Sequence, residues 1–116
     1  MKTANDPRHQ QRITKMQQLF SYSFYQTSDH KDIGPIIKLF TDIDAFIQKA
    51  APEWPLSKIA KIDLAVLRLA VWELVYEKKN PAKVVIDEAV ELGKSFGNEN
   101  SAKFINGVLG TIIQRI

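Results

Sequence analysis

Residues 61–110 read KIDLAVLRLAVWELVYEKKNPAKVVIDEAVELGKSFGNENSAKFINGVLG, and this stretch decides the fold. From about Ile62 to Lys78, Leu64, Val66, Leu67, Leu69, Val71, Trp72, Leu74 and Val75 point in nearly every direction around one helix. Only Arg68, Glu73 and Glu77 interrupt them. A helix that is apolar almost all round must lie at the buried centre of a helical bundle. Asp63 in its first turn and Lys78 and Lys79 at its end complement the helix dipole. An arginine on such a helix must be paired, so Arg68 is expected to hold a carboxylate or helix-end carbonyls.

Asn80-Pro81 breaks the chain, and a second helix follows with Val85, Ala89, Leu92 and Phe96 as its apolar stripe. Gly97 is the expected residue just past its end. Asn98-Glu99-Asn100-Ser101 is a polar turn able to cap a last helix, about Ser101 to Ile116, which buries Phe104, Ile105, Val108, Leu109, Ile112 and Ile113. Gly107 and Gly110 each cost roughly 1 kcal/mol in a helix interior, so close helix–helix approach is their expected use.

Working outward, Asp6-Pro7 starts a helix that runs to about Gln26. Ile13, Met16, Phe20 and Phe24 form its expected buried stripe, with Leu19 beside it. Arg8, Arg12 and Lys15, four and three apart, are expected to form one basic ridge. Thr27-Ser28-Asp29 ends this helix in turn-forming residues. Gly34-Pro35 opens the next, whose face is Ile36, Phe40, Ile43 and Ile47, and Pro52 ends it. Pro52-Glu53-Trp54-Pro55 is a rigid loop carrying a large aromatic. There is no strand-like alternation, so the fold class is all-α, a compact bundle of about six helices in a single domain, 1–116.

The 116 residues contain no cysteine, which excludes disulfides, thiolate nucleophiles and thiolate metal sites. The start has no apolar leader-like run, and no apolar stretch approaches the ~18 residues of a membrane span, so a cytoplasmic protein is expected. The formal charge of +3 resides entirely in residues 1–28, where Lys2, Arg8, Arg12 and Lys15 oppose only Asp6. That placement fits either a solvated helix start or a phosphate-contacting patch. His9 and His30 have no second ligand at a metal spacing, and no phosphate loop or acid–base dyad is present. No catalytic residue, metal or cofactor is expected.

The segments Ile62-Asp63, Leu67-Arg68-Leu69-Ala70, Trp72-Glu73-Leu74, Pro81, Lys83 to Leu92, Lys94-Ser95-Phe96-Gly97, Ser101 and Lys103 to Leu109, in this order, resemble the NusB family of bacterial transcription antitermination factors. Asp44-Ala45-Phe46-Ile47 and Ala51-Pro52-Glu53-Trp54 resemble the family's middle helix and following loop. The resemblance implies two packed helical sub-bundles, with the N-terminal one reduced. It implies binding of single-stranded boxA-type RNA in nascent ribosomal RNA, as a heterodimer with the ribosomal protein NusE. That complex joins other Nus factors on elongating RNA polymerase and suppresses termination. Arg8, Arg12 and Lys15 would contact phosphates, and Phe96 would stack a base. Asn100, Lys103 and Asn106 would meet base edges or phosphates. Phe20 is a stacking candidate better read as core. Asp63, Glu73 and Glu77 are the candidates for the partner surface.

Three departures from the family pattern modify this expectation. Only Thr27 to Gly34 separates the first two helices, where the family usually has an additional helix. His9, Gln10 and Gln11 stand where arginines are common, which predicts weaker, less salt-sensitive RNA binding. Asn100 replaces a common acidic residue and Ala102 a common histidine; losing the negative charge favours RNA. Three neutralised phosphates would give a slope of log K against log[salt] of about −2. The alternative readings are a stand-alone rRNA-binding accessory module and a protein-interaction scaffold, neither with antitermination activity. Apolar area left on the shortened N-terminal half would favour a homodimer.

Overall fold

The computed structural model describes residues 6–26 and 31–116. His30 and the Thr27-Ser28-Asp29 turn lie outside these. Among the described residues there are helices and turns and no strand. They are α1 (Pro7–Tyr25), α2 (Gly34–Ile37), α3 (Phe40–Ala50), α4 (Lys61–Val71), α5 (Ala82–Phe96) and α6 (Ser101–Arg115). Short 3₁₀ turns precede α2 and α4.

Helix α4 is the centre, as its all-round apolar surface requires. Every residue from Asp63 to Val71 except Arg68 is buried. α1, α3, α5 and α6 all pack on α4, and α5 and α6 pair as a helical hairpin. One continuous core joins both halves of the molecule. Arg68 behaves as expected. It makes two 2.9 Å bonds to the carboxylate of Asp44 on α3, and its guanidinium lies 4.2 Å from the ring centre of Phe40.

Four local expectations need correction. The central helix does not stay α-helical to Lys78. Residues Trp72–Glu77 widen into a π-turn, closed by a 2.9 Å bond from the Lys78 N–H to the Glu73 carbonyl. Lys78 itself takes a left-handed conformation, φ 56°, and stops the helix. The helix expected from Gly34 to Pro52 is interrupted at Lys38-Leu39, where the Leu39 N–H bonds to Ile36, only three residues back. The break still leaves Ile33, Ile36, Ile43 and Ile47 fully buried.

The stripe of α1 is rotated. Arg12, Met16 and Leu19 are its buried residues, Ile13 and Phe20 are half-buried, and Phe24 is 54% exposed. The glycines also trade roles. A Cβ at Gly107 or Gly110 would meet nothing within 4 Å, so neither serves close approach. A Cβ at Gly93 would come within 2.8 Å of Ile105, so Gly93 is the residue that lets α5 and α6 close up. Gly97 has an extended φ of −92° rather than a left-handed one. It is needed because a side chain there would run into Ser101 and the Gly93 carbonyl.

Candidate nucleic-acid interface

The loop after α3 would be loose on propensity alone, but Gln48 fixes it. Its side-chain amide donates to the Trp54 carbonyl at 2.7 Å and the Ala51 carbonyl at 3.2 Å, and accepts from the Leu56 N–H at 3.1 Å. These bonds satisfy loop groups that no helix serves. They also hold the indole of Trp54 at the surface, 47% exposed, edge-on to Phe104 of α6 with ring centres 6.1 Å apart.

The α5–α6 turn meets this aromatic pair. The Asn98 N–H donates to the Ser101 hydroxyl at 2.9 Å, and the Asn98 side chain accepts from the Asn100 N–H at 2.8 Å. Asn98 therefore closes the turn. Asn100 occupies the cap position but makes no side-chain cap bond, so capping does not account for its amide. Two clefts flank the Trp54–Phe104 wall, and Asn100 borders both. One, of about 380 Å³, is lined by Glu53, Lys103, Gly107 and Val108. The other, of about 340 Å³, is lined by Lys58, Ile59, Asp63 and Asn98.

Asp63 sits at the back of the second cleft, buried, with one carboxylate oxygen lacking a hydrogen-bond partner. Burial raises its pKa above the ordinary carboxylate value, and the Ser101 hydroxyl pulls the other way. Chemically, the wall offers aromatic faces for stacking, amides able to read base edges, and two ammonium groups for phosphates.

At the start of α1 the expected ridge is divided. Arg12 is only 7% exposed. Its guanidinium makes a bidentate contact with Glu73, with bonds of 2.8–3.1 Å, and lies 3.4 Å from Glu88 of α5. Arg12 and Glu73 thus hold each other, rather than a phosphate and a protein partner. His9, expected in solvent or on the ridge, instead sets its Nδ1 2.9 Å from the same Glu88 oxygen. Arg8 remains exposed, with a 3.4 Å contact to Asp6, the residue that caps α1. Lys15 lies 5.1 Å from the ring centre of Trp72. Arg8 and Lys15 share a polar groove of about 260 Å³ with Glu77, Lys79 and Asn80.

The other expected residues scatter. Phe96 is exposed at the end of α5, and Asn106 is exposed on α6 beside Gly107. Glu77 lies 3.8 Å from Lys79. Phe20 packs on the core, edge-on to Phe24 at 5.1 Å. Trp54 and Lys58 were not among the expected site residues, and Phe104 was expected only as core. The one sequence signal was a tryptophan in a loop between two prolines. No group of His, Cys, Asp or Glu able to hold a metal is found among the described residues, and no helix there is long and apolar enough to cross a membrane.

Comparison with known proteins bears on this arrangement. The model of the NusB family matches residues 33–114. A transcription antitermination protein NusB from Chloroflexus aggregans is 51% identical over 75 residues, covering 63% of this chain and 50% of that protein. Another from Alkaliphilus oremlandii is 40% identical over 86 residues, covering 74% of this chain and 62% of that protein. The chain spans about half the length of the curated relatives it matches. A solved structure of T. maritima NusB superposes with a TM-score of 0.83 at 35% identity, covering 98% of this chain and 93% of that one.

Proposed function

This chain belongs to the NusB family, and from that premise we propose that it binds single-stranded boxA-type RNA of nascent ribosomal RNA transcripts with the ribosomal protein NusE. In complex with other Nus factors on RNA polymerase it suppresses termination. The observation that carries this reading is the Trp54–Phe104 wall, an exposed tryptophan clamped by Gln48 between two clefts. The indole packs edge-on against Phe104 and stays half-exposed, which leaves surface on which an unpaired base stacks for about 1–3 kcal/mol.

Around that wall, Asn100 faces base edges and Lys103 and Lys58 face phosphates. Phe96 and Asn106, exposed on α5 and α6 outside the two clefts, are further candidates for contact with the strand. Arg8 and Lys15 supply the distant phosphate contacts, and phosphate contacts fix register without reading sequence. Arg12 acts through position, by tying α1 to the π-turn and α5. For the protein partner, Asp63 offers a carboxylate acceptor at the back of the second cleft.

The test is a fluorescence-anisotropy titration of a short boxA-like RNA and a scrambled control, with and without NusE. The reading requires preference for the boxA-like RNA and tighter binding when NusE is added. Equal binding of both RNAs in both conditions overturns it, and points to a stand-alone helical module without antitermination activity.

A further inference from the structure

We propose that the groove between the start of α1 and the π-turn seats a phosphodiester of the bound strand, and that Lys79, across from α1, is one of its ligands. This rests on the RNA-binding reading above, which gives Arg8 and Lys15 phosphate contacts, and adds to it the opposite side of their groove, Lys79 and Asn80.

The groove holds about 260 Å³ and is lined by charged and amide-bearing residues. Of its charged groups, Arg12 and Glu73 neutralise each other by their bidentate contact. What remains on its lining is Arg8, Lys15 and Lys79 against Glu77, a net charge of plus two, reduced to plus one when Asp6, which contacts Arg8, is counted. Three cations directed at one cavity repel each other, so an anion placed between them is stabilised by all three.

Each cation is held without being used up. Lys15 rests over the Trp72 ring, which orients its ammonium but leaves its donors open. Arg8 is 72% exposed and makes one long bond to Asp6. Lys79 is 76% exposed and its contact with Glu77, at 3.8 Å, is loose. The π-turn is what brings Lys79 here. Its extra residue per turn and the left-handed Lys78 end the helix beside α1, and Lys79 and Asn80 then line the groove. Asn80 adds an amide donor suited to a phosphate oxygen.

The experiment uses the full chain and a short boxA-like single-stranded RNA, titrated by anisotropy across a salt series. Lys79→Ala should weaken binding to boxA-like and scrambled RNA alike, and flatten the slope of log K against log[salt] by about 0.7, the share of one phosphate on a single strand. Glu77→Gln should tighten binding, most at low salt. Circular dichroism on both variants checks the fold, which these exposed and half-buried groups do not sustain. Unchanged affinity and slope in Lys79→Ala, or weaker binding in Glu77→Gln, overturns the groove as a phosphate seat. If Trp54→Ala loses binding while Lys79→Ala does not, the groove fails and the RNA reading stands. If the unaltered chain binds neither RNA, both fail.

Discussion

At the contact of α1 with the π-turn and α5, charged groups turn inward and pair; at the Trp54 wall, polar groups turn outward around an aromatic surface. The first place consumes Arg12, Glu73, His9 and Glu88 in one buried cluster. The second leaves Trp54, Asn100 and Lys103 open above two clefts. Both places contain residue types associated with RNA binding. Only burial and partners separate an anchor from an interface, and a helical spacing carries neither.

The largest effect should come from breaking the inward cluster. Arg12→Ala leaves Glu73 buried without its bidentate partner, and should cost about 3–5 kcal/mol in denaturant unfolding. Replacing both members of the bidentate pair, Arg12→Met with Glu73→Leu, should recover part of that, because a hydrophobic pair carries no desolvation penalty while Glu88 still loses its Arg12 contact. Full stability in the single variant would mean the cluster is not an anchor.

Next come the glycines. Gly97→Ala must displace Ser101 or the Gly93 carbonyl and should cost about 1–3 kcal/mol, as other overpacked sites do. Gly107→Ala meets open space and should stabilise by up to about 1 kcal/mol from helix propensity. Thermal melts of the pair check that opposite sign.

The smallest effect is expected at Asp63, and its sign depends on pH. Its folded pKa is raised by burial, so the fold disfavours the carboxylate. Below the ordinary value of 3.8 the group is protonated in both states and no penalty exists. The penalty grows as pH rises from 3.8 through the folded pKa and is constant above that. Asp63→Asn should therefore be more stable than the parent at neutral pH, with the gain vanishing below 3.8. Melts across pH that show a constant difference would assign the effect to something other than ionisation.

The centre of the fold was legible because Leu64 to Val75 admit no exposed face, and Arg68 was legible as paired for the same reason. Arg12 was not. It lies four residues before Met16 and seven before Leu19, on the stripe that the structure buries. Choosing Ile13, Phe20 and Phe24 as that stripe placed Arg12 on the outside. Local hydrophobicity gave two nearly equal rotations of α1, and the carboxylates of Glu73 in the π-turn and Glu88 on α5 select between them. Trp54 was visible as a loop aromatic. Its exposure depends on Gln48 reaching forward to the loop and on Phe104 approaching from fifty residues later, which no local pattern records.

The measurement that tests the account most directly compares boxA-like RNA binding by the parent chain, Trp54→Phe and Trp54→Ala. Stacking on an aromatic face is worth about 1–3 kcal/mol per base, so Trp54→Ala should bind roughly 5- to 150-fold more weakly, with Trp54→Phe in between and all three melting alike. Equal affinity of Trp54→Ala and the parent would contradict the assignment of this wall as the RNA interface.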